Sequence, residues 1–105
     1  MIVINKNEGP KIPYEVNGTR ICFDDDLTLN LSKRLEDWPV HIDICFDADH
    51  ELVVGAAAGR AYVAEIDIPA REYEYPEAGE GEEPEPPTPL PLDMDKVTLT
   101  LWAIE

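Results

Sequence analysis

The hydrophobic residues of this chain recur every second position almost from end to end, and that period admits strands and excludes amphipathic helices. Leu27-Thr28-Leu29-Asn30-Leu31-Ser32 sets three leucines against Thr, Asn and Ser. Val40 to Phe46 sets Ile42, Ile44 and Phe46 on one face and His41, Asp43 and Cys45 on the other. Arg60 to Ile68 aligns Tyr62, Ala64, Ile66 and Ile68. Lys96 to Ile104 sets Val97, Leu99, Leu101 and Ala103 against Thr98, Thr100, Trp102 and Ile104. Successive side chains on a strand point to opposite faces, so each run presents one apolar face to a core.

Turn signals separate the runs. Asn17-Gly18 lies between Tyr14-Glu15-Val16 and Thr19-Arg20-Ile21-Cys22-Phe23, and predicts a hairpin of type I′. Asp24-Asp25-Asp26 and Asp47-Ala48-Asp49-His50 read as further turns, the latter answered by Glu51-Leu52-Val53-Val54. Met1 to Asn5 reads as a first strand, and Gly55 to Gly59 as a bend or bulge. Lys33 to Pro39 breaks the pattern, with Leu35 and Trp38 expected to cap the core. That stretch has room for one helical turn, and no helix longer than that is predicted. At 105 residues the chain fits a single domain. The expectation is all-β: an antiparallel β-sandwich or flattened barrel of about 7–8 strands. Its core is expected to hold Ile21, Phe23, Leu27, Leu29, Leu31, Ile42, Ile44, Phe46, Ile66, Ile68, Val97, Leu99 and Leu101.

Residues 76–92 differ from the rest. They hold six prolines, no Lys or Arg, and Glu77, Glu80, Glu82, Glu83 and Glu85. Such a segment favours extended polyproline geometry, stretched further by like charges. It is read as a long loop joining strand 60–68 to a paired strand 96–104.

Charge narrows the function classes. Asp and Glu number 23 against 8 Lys and Arg, for a net charge of −15. Direct nucleic-acid binding needs cations, of which this chain has few, and its negative surface also repels anionic membrane. A basic protein surface is the partner such charge favours, and the alternative is that the charge simply keeps the protein soluble. The amino terminus lacks the basic flank and long apolar run of a signal peptide. A bacterial cytoplasmic or virion setting follows, with Cys22 and Cys45 expected as two buried thiols, open to approach on neighbouring strands.

No cluster assembles a catalytic set. His41 and Asp43 share a strand face, but without a nucleophile and an orienting third group they read as surface residues. The two Asp-rich turns lack calcium-loop spacing. No catalytic residue, metal site or cofactor is expected. Tyr73, Tyr75 and Trp102, with the five loop glutamates, are the candidate interface.

Ile66-Asp67-Ile68-Pro69-Ala70-Arg71-Glu72-Tyr73-Glu74-Tyr75, the Pro/Glu insert, and Pro91-Leu92-Asp93-Met94-Asp95-Lys96-Val97-Thr98-Leu99-Thr100-Leu101-Trp102-Ala103 together resemble a known group. They look like the C-terminal half of small uncharacterised proteins of Firmicutes prophages and mobile elements. The resemblance implies a phage-associated setting and transfers no residue roles. The expected function is a non-enzymatic virion-associated protein, a decoration or tail component working beside neighbouring subunits, with a homo-oligomer also open. The alternative is an acidic nucleic-acid mimic that inhibits a basic host defence nuclease.

Overall fold

The computed structural model describes residues 1–57, 59–77, 79, 81, 83 and 85–104. The fold is all-β. Among the described residues the only helical pieces are two short 3₁₀ turns, Leu31–Arg34 and Met94–Lys96.

Among the described residues, ten strands form three sheets. They are β1 (Ile2–Asn5), β2 (Tyr14–Asn17), β3 (Arg20–Phe23), β4 (Leu27–Asn30), β5 (Val40–Phe46), β6 (Leu52–Val54), β7 (Ala61–Ile68), β8 (Tyr73–Glu74), β9 (Thr88–Pro89) and β10 (Thr98–Leu101). The large sheet runs β1-β10-β7-β5-β6, the smaller β2-β3-β4, and β8 pairs with β9 alone. The expected pairing of strand 60–68 with the last strand is present as antiparallel β7–β10. β1 departs from the antiparallel expectation, because it lies parallel to β10 with Ile2 opposite Thr98. A parallel pair needs a long crossover, and most of the chain supplies it.

One core cluster draws on both larger sheets: Ile21, Phe23 and Leu29 from the small one, and Ile42, Ile44, Ile66, Leu99 and Leu101 from the large one. Alternation therefore located the core well. Leu27 and Phe46 are packed against it but only partly buried, and Ile12, Leu35, Val63 and Ala64 join it.

Three local expectations are corrected. Trp38 does not cap the core but stands 61% exposed. The hairpin turn sits one residue later than predicted. Asn17 pairs with Arg20, and Gly18 (φ 63°) takes the first turn position, as in a II′ turn that Gly alone enters without strain. Tyr62 leaves the inward face because of a bulge. Ile44 faces Ala64 but Cys45 faces Tyr62, so Val63 is an extra residue on β7. Val63 and Ala64 are both buried, and Tyr62 turns outward.

Candidate functional site

The outward face of the large sheet brings His41, Asp43, Glu65, Asp67 and Trp102 together. Register explains how. His41 on β5 stands opposite Asp67 on β7, and Asp43 stands opposite Glu65. Directly opposed residues on antiparallel strands place their Cβ atoms about 4.5–5.5 Å apart, within reach of each other. His41 accordingly lies among three carboxylates. Its Nδ1 is 2.6 Å from Asp67 Oδ1, and its Nε2 is 2.8 Å from Asp43 Oδ1 and 3.4 Å from Glu65 Oε1.

The Asp67 hydrogen bond raises the His41 pKa above its ordinary value; partial burial opposes the shift, and Asp43 adds to it. Both ring nitrogens face carboxylates, an arrangement that favours the protonated imidazolium, which donates from each.

Trp102 continues this face beyond Thr98 and Thr100. Its indole Nε1–H donates to Glu65 Oε2 at 2.8 Å, its ring stacks on Tyr62 at 5.1 Å, and Lys6 Nζ lies 5.4 Å from its centroid. The bulge at Val63 makes the stack possible by delivering Tyr62 to the outer face. Cys45 faces outward too, yet it is buried. Gly59 passes so close that a Cβ there would stand 2.7 Å from Cys45 Cβ, so only Gly fits. Burial first, then Asp43 and Glu65, push the Cys45 thiol up, away from the reactive thiolate. Cys22 is half-buried in the small sheet, and both cysteines are free. They therefore sit in different sheets, not on neighbouring strands.

The residues singled out from sequence do not converge. Trp102 follows β10 at the Ala61 end of β7, whereas Tyr73 follows the Ile68 end. Tyr73 is half-buried, and its hydroxyl donates to Asp37. Arg71 reinforces that anchor, reaching Asp37 Oδ1 at 3.2 Å and the Leu35 carbonyl at 2.9 Å. Lys96 holds Glu72 at 2.6 Å. These contacts and the β8–β9 pair tie down both ends of the acidic segment. Tyr75, at 74% exposure, and Glu77, Glu83 and Glu85 are exposed beyond them. Glu80 and Glu82 lie outside the described residues.

Sequence reasoning noted His41 and Asp43 but missed Glu65, Asp67 and Tyr62. A signal existed in hindsight: His-x-Asp on one strand and Glu-x-Asp on another have matching spacing. Only the register makes them neighbours.

A second surface feature is the β1 edge. Ile2, Val3 and Ile4 are 52%, 42% and 47% exposed. The Ile2 and Lys6 amides donate to Val97 and Leu101 carbonyls at 2.8 Å. The alternate residues, Val3 and Asn5, thus turn their backbone groups away from β10, and no described strand lies on that side. Comparison of the chain with protein-family models, with curated proteins and with solved structures found no match in any of the three.

Proposed function

We propose that this chain is a non-enzymatic accessory or structural protein acting through protein–protein contact, and that β1 receives an extended segment of a basic partner. The open apolar edge of β1 carries the reading. An unpaired edge presents amide and carbonyl groups that template a further strand, and natural proteins usually blunt such edges with charge or proline. Here it bears Ile, Val and Ile. The net charge of −15 selects a cationic segment over a second copy of this chain. The scaffold behind the edge is read as a β-sandwich, with the small sheet laid over the inner face of the large one. The resemblance of residues 66–103 supports a phage setting, with a neighbouring virion subunit as the partner.

The experiment uses a synthetic peptide alternating Val and Lys, titrated into labelled protein and followed by amide NMR. Expected are shifts centred on Val3 and Asn5. Val3→Pro should abolish them, because it removes an outward amide while leaving the Ile2 and Lys6 bonds to β10 in place. Shifts elsewhere, or binding indifferent to Val3→Pro, would overturn the edge reading.

A second reading, the acidic groove-blocker, draws on the exposed Glu77, Glu83 and Glu85. It puts the binding energy in the acidic segment. Replacing residues 77–90 with a short Gly/Ser linker should then abolish binding to a basic nuclease and flatten its salt dependence. Edge pairing survives that replacement.

A further inference from the structure

The outward face of the large sheet carries a tension that its hydrogen bonds do not remove. Asp43 and Glu65 are directly opposed across β5 and β7, and like charges in that relation repel. Both are only about one-fifth exposed, at 23% and 22%, so water screens them incompletely. His41, when protonated, supplies one positive charge among three carboxylates.

The spacing of the donor atoms is that of ligands sharing one ion. Zinc bonds nitrogen and carboxylate oxygen at about 2.0–2.2 Å, so adjacent ligands at octahedral or tetrahedral angles stand roughly 2.8–3.5 Å apart. His41 Nε2 is 2.8 Å from Asp43 Oδ1 and 3.4 Å from Glu65 Oε1, and the three donors all lie within 4.8 Å of one another. Two of the three are held by outer partners. Asp67 accepts from His41 Nδ1–H, which fixes the ring and directs Nε2 at the carboxylates. Trp102 holds Glu65 Oε2, which leaves Oε1 turned toward His41. A carboxylate behind a ligating imidazole is the usual support of a zinc site.

We propose that His41 Nε2, Asp43 and Glu65 bind one divalent cation of the zinc class, with Asp67 and Trp102 as positioning residues. The cation takes the place of the Nε2 proton, which leaves to solvent, while Nδ1 keeps its proton and its bond to Asp67. One imidazole and two carboxylates select zinc and its first-row neighbours over magnesium and calcium, which take oxygen ligands. Three protein ligands on an open sheet face leave further positions for water or for a partner's side chain. The inference stands apart from the β1 edge, and either can fail alone.

The chain contains two histidines, so His50 is an internal control; it stacks on Phe46 at 4.0 Å in the turn that follows β5. Zinc chloride is titrated into the full chain, with affinity read from competition against a chelating dye and the site read from imidazole NMR signals. Expected are one equivalent per chain, a shifted His41 and an unshifted His50, with magnesium producing neither. His41→Ala should remove the binding. Asp67→Ala should weaken it about 10–100-fold, whereas Glu15→Gln, which also removes one negative charge, should leave it unchanged. Zinc uptake undiminished in His41→Ala would overturn the proposal. So would equal shifts at both histidines, or an Asp67→Ala affinity equal to that of Glu15→Gln. Because wild-type NMR alone locates the ion, the test does not depend on any variant folding.

Discussion

Ile44→Ala is expected to cost about 2–5 kcal/mol of folding stability, the range for truncating a buried isoleucine to alanine. Ile44 is fully buried on β5, between β6 and β7, with Val54 and Ala64 as its register partners. Removing its outer carbons loses their transfer energy and leaves a cavity that a bulged strand pair closes poorly. A domain of this size is held by about 5–15 kcal/mol in all, so one substitution takes a large share. Urea unfolding followed by circular dichroism should show a lower midpoint with an unchanged slope. A surface change on the neighbouring strand, such as Val54→Thr, should stay within about 0.5 kcal/mol. A comparably small effect at Ile44 would mean that the β5 register is one residue out, because a single slip exchanges the two faces of a strand.

How much was legible in the sequence follows from which interactions are local. Alternation depends on neighbours two residues apart. The inward faces of β3, β5 and β10 could therefore be read directly, as could the turns at Asp24–Asp26 and Asp47–His50. In the latter, Asp47 Oδ1 accepts from the Asp49 and Glu51 amides, a strictly local arrangement. Tyr62 was misplaced because a bulge adds a residue without any Gly or Pro to announce it. Trp38 was assigned inward on hydrophobicity alone, although the pattern around it had already broken. The parallel β1–β10 pair joins the two ends of the described chain, a separation no local signal spans.

The outward site was half legible for the same reason. His41 and Asp43 are two apart on one strand, and their common face was evident. Glu65 and Asp67 arrive from β7, some two dozen residues on, through a register that a one-residue slip would dissolve. Without them His41 has no reason to be more than a surface histidine. The acidic segment shows the converse case. Its composition set it apart, but composition did not reveal that Tyr73, Arg71, Glu72 and Lys96 anchor its ends. Tyr73 thereby becomes part of the scaffold, and Tyr75 is left as the exposed aromatic beside it.

Phe23→Ala should be more disruptive still, at about 3–5 kcal/mol, and it tests the sandwich reading directly. Phe23 lies on β3 in the small sheet and is fully buried, yet three strands alone cannot cover so large a ring. Its burial within the shared cluster implies that the large sheet supplies the rest of its cover. If the two sheets stabilise each other, the loss at Phe23 spreads across both. Amide exchange should then accelerate at Ile42, Ile44, Ile66 and Leu99 on the large sheet by the same factor as at Ile21 and Leu29 on the small one, with a single unfolding transition. The opposite outcome is equally specific. If the small sheet opens while β5, β7 and β10 keep their protection, the sheets are separate cooperative units and the sandwich reading fails. Combining Phe23→Ala with Ile44→Ala sharpens the distinction. Residues sharing one core couple by roughly 0.5–3 kcal/mol, so the double variant should depart from the sum of the single losses. Additivity within about 0.3–0.5 kcal/mol would instead mark the two side chains as independent.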